Sequence, residues 1–372
     1  MTDSKARVEA VYTFLHGIPE LGLAERRTAA FLAQHLKAAG YEVETGVGGT
    51  GVIGVLRGEA PGPTLALRAD MDALHHIVNG KECAIHSCGH DAHSAMVLCA
   101  AELAAKNKLS AGTLKIIFQP AEETLAGALG MVEAGAIADV DMIVVIHLRP
   151  GQEAKLGQAT PALYHGSSYI LEAAIEGITA HGARPHLGVN AIDAAAAVVN
   201  AINAIHMNPV TPTSIKVTKL HAGGAALNAI PDKADLAIDL RSQDNGLMDE
   251  LIKKAQRAIE NAAASVGAKA IATVKGGVPA AEYSNDVIEL AREAITQVLG
   301  EQGLLPPITT PGGEDFHFYV KHKPSIKAGY IGLGCDLSPG LHHPEMKFDT
   351  AALINGVDIL LYIVKKTLGF KE

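Results

Sequence analysis

The chain has 372 residues, more than a single domain usually holds, and an allowance of about 150 residues per domain gives two. With 48% hydrophobic and 19% charged residues it is too apolar for disorder, and no run approaches the roughly 18 consecutive apolar residues of a membrane span. Lys and Arg number 31 against 40 Asp and Glu, a net charge of −9; with 4% aromatics and no Trp, this argues against nucleic acid or a membrane as partner and leaves small molecules or proteins.

The opening Met1-Thr-Asp-Ser-Lys-Ala-Arg7 lacks the basic and apolar regions of a secretory signal, so a cytoplasmic protein is expected, with Cys83, Cys88, Cys99 and Cys335 as free thiols or ligands. Alanine and leucine at helical spacing predict a helix over 24–39, closed by Gly40. Gly46-Val-Gly48-Gly49-Thr-Gly51 matches the dinucleotide fingerprint G-x-G-x-x-G. A strand rather than a helix N-terminus follows it, so it reads as a hairpin turn. Apolar, β-branched runs predict strands over 51–56, 64–70, 113–119 and 141–148, with a helix over 92–107 between them, the pattern of an α/β, mainly parallel mixed sheet.

From Tyr169 the order changes to strand (169–175), helix (191–205), two strands (214–220, 234–240), helix (248–264) and strand (270–274), which is a ferredoxin-like α+β sandwich. After Pro279 come helices over 286–299 and 350–367 and a strand over 329–334, too little for an independent domain and therefore expected to complete the first sheet. The expected organisation is a discontinuous domain, 1–166 and 277–372, with an insertion at 167–276.

Side chains that carry chemistry collect where those strands end. His86-Ser-Cys88-Gly-His90-Asp91-Ala-His93 offers five metal-binding or metal-orienting side chains just before a helix; Glu122-Glu123 follows one strand, His147 ends another, and His342-His343 follows Gly340. One Cys, three His and two Glu exceed the needs of one tetrahedral zinc, so two metals are expected, one glutamate ligating while its neighbour acts as general base. Thiolate with imidazole suits zinc, cobalt, nickel or manganese better than calcium.

Ile18-Pro-Glu-Leu21, Leu67-Arg-Ala-Asp-Met-Asp-Ala-Leu74, His86-Ser-Cys-Gly-His-Asp-Ala-His93, Gln119-Pro-Ala-Glu-Glu123, Gly313-Glu-Asp-Phe316 and Leu341-His-His-Pro344 occur in this order. Over nearly the whole chain this resembles the aminoacylase-type di-metal metallopeptidases, in the branch of hippurate hydrolases and indole-acetyl-amino-acid hydrolases. The resemblance implies that Cys88, His90, Glu123, His147 and His342 bind two divalent ions (Zn2+, Mn2+, Co2+ or Ni2+) per chain, that Glu122 is the general base and that Asp72 orients a ligand. It also implies that the insertion is a lid and dimerisation domain, placing His181 of one protomer in its partner's site as oxyanion donor, with Asn228 and Arg241 gripping the substrate carboxylate.

Three departures stand out. Members of the branch usually carry Pro after Asp-Ala-Leu and a longer loop than His75–Ile85, and here His343 adjoins His342. The function expected is hydrolysis of the amide bond of N-acyl amino acids by a metal-bound hydroxide in a homodimer. The alternatives are a dipeptidase or carboxypeptidase using the same site, or a non-catalytic binding protein of this fold.

Overall fold

The computed structural model describes residues 2–310 and 312–371. Two compact units divide the chain: a larger unit made of the residues up to Tyr164, Glu282–Thr310 and Glu314 onward, and an insert, His165–Ala281, with which Gly312 and Gly313 group. The insert thus begins at 165 and ends at 281, against the expected 167 and 276.

The larger unit opens with α1 (Thr2–His16), α2 (Arg26–Ala38) and the strands β1 (Glu42–Val47), β2 (Gly51–Arg57) and β3 (Ala60–Asp70). There follow β4 (Leu74–Val78), β5 (Lys81–Ile85), α3 (His90–Asn107), β6 (Ala111–Gln119), α4 (Gly127–Glu133), β7 (Met142–Pro150), β8 (Ala159–Thr160) and β9 (Leu163–His165). Beyond the insert lie α7 (Asn285–Leu299), β16 (Ile308–Thr310), α8 (His317–His322), β17 (Lys327–Leu337) and α9 (Ala352–Leu368).

Seven strands form one sheet in the order β1-β2-β6-β3-β7-β17-β8. The four central strands run parallel and the flanking pairs antiparallel. This is the mixed, mainly parallel sheet that the sequence predicts. β6, β7 and β17 are nearly continuous buried runs, as strands covered on both faces must be. α3 packs against α1, α9 and β3 and is buried almost all round, which is why it reads as alanine-rich rather than amphipathic.

The glycine-rich segment is the turn of the β1–β2 hairpin: Gly48 has φ +60, and a Cβ there would lie 2.8 Å from the backbone of Gly130. The region 75–85, expected as a loop, is instead a second hairpin, β4 paired with β5. Its turn is Asn79-Gly80, with φ of +51 and +76, the positive values that a tight two-residue turn between right-twisted strands requires.

The insert comprises β10 (Ser167–Glu176), β11 (Ala180–His181), α5 (Ala191–Asn203), β12 (Thr213–Ala222), β13 (Ala229–Ile230), β14 (Lys233–Ser242), α6 (Asn245–Ser265) and β15 (Lys269–Val278). Its sheet is antiparallel in the order β12-β14-β10-β15, the ferredoxin-like arrangement. Alternate residues Leu171, Ala173 and Ile175 of β10 and Leu236, Ile238 and Leu240 of β14 are buried with Val198 and Ile202 of α5 and Leu251, Ala255 and Ile259 of α6. Asn190 and Asp244 cap the two helices by accepting the amides of Ile192 and Leu247.

Candidate metal centre

The carboxyl ends of β3, β6 and β7 lie side by side, so the residues at and after them converge. β3 delivers Asp72, β6 runs out into Glu122 and Glu123, and β7 carries His147. Gly89, in the left-handed region at φ +89, turns the chain into α3 just after Cys88 and just before His90. His342, itself at φ +65, is anchored by its amide on the Ser87 carbonyl at 2.7 Å.

These segments form three overlapping groups whose ligand atoms all lie within 4.8 Å of one another: Cys88, His90 and His147; Cys88, Glu123 and His342; and His90, Glu122 and Glu123. All five residues that the resemblance implies as ligands are therefore gathered in one place. His342 belongs to this set, whereas the ring of His343 accepts the amide of Glu345. Two neighbours in the same motif are otherwise engaged, since His93 Nε2 accepts the Leu148 amide at 3.0 Å and Asp91 pairs with His16 at 2.7 Å.

Hydrogen bonds fix which ring nitrogen points inward. His90 Nδ1 donates to the backbone oxygen and to Oδ1 of Asp72, at 3.0 and 3.1 Å, leaving Nε2 as the free lone pair. Asp72 Oδ2 accepts the amide of Glu123 at 3.0 Å, so one carboxylate orients both a histidine and the acidic pair. Burial alone would raise the Asp72 pKa, but the hydrogen bonds from His90 and from the Glu123 amide hold it below the usual carboxylate value. His147 Nδ1 donates to the Leu148 carbonyl at 2.7 Å, turning Nε2 toward Cys88 Sγ at 3.5 Å. Burial and the nearby Arg149 pull His147 down to about 3, so its imidazole is neutral, as a ligand must be.

His90 Nε2 and Glu123 Oε1 are buried, 3.9 Å apart, and have no hydrogen-bond partner among the described residues. Glu123 Oε1 also lies 3.5 Å from His342 Nε2. A buried carboxylate oxygen facing two imidazole nitrogens without any bond is costly unless something is bound between them. Cysteine, histidine and glutamate together form the donor set of a borderline transition ion, so the residues present fit a divalent metal centre.

Beneath this cluster lies a buried ionic network to which sequence reasoning assigned no role. Arg68, wholly buried in β3, contacts Asp70 at 2.5 Å, Glu314 at 3.2 Å and Asp315 at 2.8 Å, and its Nε donates to Gln119. Gln119 Nε2 and the Ala128 amide also donate to Asp315, while the Tyr330 hydroxyl donates to Glu314 at 2.6 Å. Glu122 is buried beside these carboxyls, and burial, reinforced by Glu314 and Asp315, raises its pKa well above the ordinary value. Asp315 is pushed up to about 7, first by burial. The signal in the sequence was a lone arginine inside the otherwise apolar run Leu65–Ala69.

The remaining three expected site residues lie in the insert. His181, exposed on β11, accepts the Ala183 amide at Nδ1, and the Gly182 amide donates to the Asn228 carbonyl at 2.7 Å, so His181 and Asn228 are neighbours. Arg241, on β14, makes a two-pronged ion pair with Asp239, both contacts at 2.9 Å.

Comparison with known proteins gives a consistent picture. A family model described as peptidase family M20/M25/M40 matches residues 66–366. The hippurate hydrolase of Campylobacter jejuni is 32% identical, the alignment covering 98% of each chain. The thermostable carboxypeptidase 1 of Saccharolobus solfataricus is also 32% identical, over 86% of this chain and 84% of its own. Among solved structures, the Bacillus subtilis YXEP protein, described as a dinuclear metal binding peptidase, superposes with a TM-score of 0.83 at 26% identity over the full length of both chains.

Proposed function

The chain belongs to peptidase family M20/M25/M40 and is a hydrolase of amide or peptide bonds, and from that premise we propose that it cleaves the amide bond of N-acyl amino acids. The observation that carries the proposal is the unpartnered pair His90 Nε2 and Glu123 Oε1 set beside the buried carboxyl of Glu122. Cys88, His90, Glu123, His147 and His342 would hold two divalent ions, zinc, manganese, cobalt or nickel, which supply Lewis acidity to the amide carbonyl and to water. Glu122 takes the proton from the attacking water and passes it to the leaving amine nitrogen. Asp72 keeps His90 in the tautomer that ligates and holds the Glu123 amide in place.

In the insert we assign His181 to the developing oxyanion, acting on the partner's site in a homodimer, and Asn228 and Arg241 to the substrate carboxylate. Asp239 takes Nε and one terminal nitrogen of the Arg241 guanidinium, which leaves the other terminal nitrogen to donate to a substrate carboxylate. Exposed Ile192, Leu220 and Leu227 on the insert supply apolar surface for the pairing of two chains. No helix among the described residues is long and apolar enough to cross a membrane, and the four free cysteines suit the reducing cytoplasm.

The test is a substrate panel of acetyl, benzoyl and indole-acetyl amino acids alongside dipeptides, each with added Mn2+, Co2+, Ni2+ or Zn2+. Turnover of acyl amino acids above dipeptides is expected. The reverse order would favour the second reading, a carboxypeptidase or dipeptidase on the same site, which the likeness to the Saccharolobus enzyme recommends. No turnover of either class under any metal would overturn both.

A further inference from the structure

The segment Pro19-Glu-Leu-Gly-Leu-Ala-Glu25 contributes no ligand, yet it straps together two arms of the site. Its first half grips the end of β3: the Ala73 amide donates to the Glu20 carbonyl at 2.8 Å, and Leu21 bridges to Ala73. The Glu20 carboxylate turns the other way and accepts the amides of Arg27 and Thr28, closing the first turn of α2. The second half of the strap lies against the residue before Glu122. A Cβ on Gly22 would sit 3.0 Å from Ala121 Cα, so only glycine allows so close an approach without displacement. Glu25, fully buried, accepts the Ala121 amide on one carboxylate oxygen at 2.8 Å and the Thr50 hydroxyl on the other at 2.5 Å.

Ala121 itself stands at φ +53, a left-handed conformation unfavourable for a residue with a Cβ, and it persists only where surrounding contacts enforce it. The Ala121 carbonyl in turn accepts the Gly127 amide and the Thr124 hydroxyl, both at 3.1 Å, so the residue is held at both ends of its peptide. The backbone direction at 121 decides where the Glu122 side chain starts.

We propose that Glu25 is a positioning residue for Glu122: by holding the Ala121 amide it maintains the left-handed turn that aims the Glu122 carboxyl. This rests on the reading of Glu122 as general base. A misplacement of about 1 Å in a reacting group costs on the order of a hundredfold in rate, so a loosened turn should show in kcat rather than in KM.

The experiment is a double-mutant cycle on whichever amide the wild-type enzyme turns over fastest, with metal content and melting temperature measured for each variant. Glu25→Ala should lower kcat roughly 10–100-fold with KM within about twofold and metal retained. Glu25→Gln should keep most of the rate, because its amide oxygen can take the Ala121 N–H while its amide nitrogen donates to Thr50. In a Glu122→Gln background, Glu25→Ala should cost less than about threefold, since the group it positions is gone. A loss equally large in that background, equally large for Glu25→Gln, or absent altogether would overturn the proposal. Should Glu25→Ala fail to fold, Gly22→Ala makes the same test by pressing directly on Ala121, with a kcat loss of about tenfold expected and the same dependence on Glu122. Near-full activity of Glu122→Gln would bring down the general-base reading and this proposal with it. Unchanged hydrogen exchange at the Ala121 amide in metal-free Glu25→Ala would overturn the clamp alone.

Discussion

The catalytic unit and the insert solve the problem of polar residues in opposite ways. Every buried Asp, Glu, Lys and Arg among the described residues lies in the catalytic unit, whereas the core of the insert is an apolar layer of Leu, Ile, Val, Met and Ala between two helices and a sheet. Burying charge is expensive and is tolerated only where each ion is paired and hydrogen-bonded, which locks the groups in place. The catalytic unit thus spends stability on preorganisation. The insert takes the ordinary route of amphipathic patterning and leaves His181 and Arg241 on its surface.

The sharpest way to break this contrast is Arg68→Met, which leaves Asp70, Glu314 and Asp315 buried without their cation. Removing one partner of a buried ionic set typically costs about 3–5 kcal/mol, and denaturant unfolding of the catalytic unit should show a loss of that size. A loss below about 1 kcal/mol would mean that the network does not stabilise the fold. Next in size, Glu122→Gln should lower kcat by at least about a hundredfold while metal content stays unchanged, and Glu123→Gln should lose metal instead. Identical behaviour of the two variants would dissolve the division of labour between adjacent glutamates. The smallest effect belongs to the insert: Asn190→Ala removes a helix cap and should cost about 1 kcal/mol in the insert's own unfolding transition, with no change in the metal bound.

How legible each region was in the sequence follows from the same contrast. The insert's strands and helices are readable because alternation and helical periodicity govern a two-layer sandwich, and the elements expected at 169–175 and 248–264 differ from β10 and α6 only at their ends. In the catalytic unit, β6 and β7 are clear as apolar runs, but β1 is not, since Glu42, Glu44 and Thr45 are exposed and the edge strand offers the core little beyond Val43 and Val47. The β4–β5 hairpin escaped for a related reason: its burial pattern is largely exposed, and only Asn79-Gly80 betrays the turn. Among the site residues, Cys88, His90, Glu122, Glu123 and His147 declare themselves by clustering near strand ends. Glu25 and Arg68 do not, because their roles depend on Ala121 and on Glu314 and Asp315, distant in sequence and brought close only by the fold.

β17 lies between β7 and β8 in the sheet, although the insert is encoded before it. A chain made from its N-terminus exposes the complete ferredoxin-like sandwich, ending at Ala281, while the larger sheet still lacks a strand and Arg68 still awaits Glu314 and Asp315, 246 and 247 positions further on. On the ribosome the insert can therefore fold before that sheet is complete, leaving β7, paired with β3 on one side, with its other edge open until β17 emerges. That interval is when a nascent chain is most open to chaperone binding or to aggregation. It makes the last ninety or so residues the step that commits the catalytic unit to its final state.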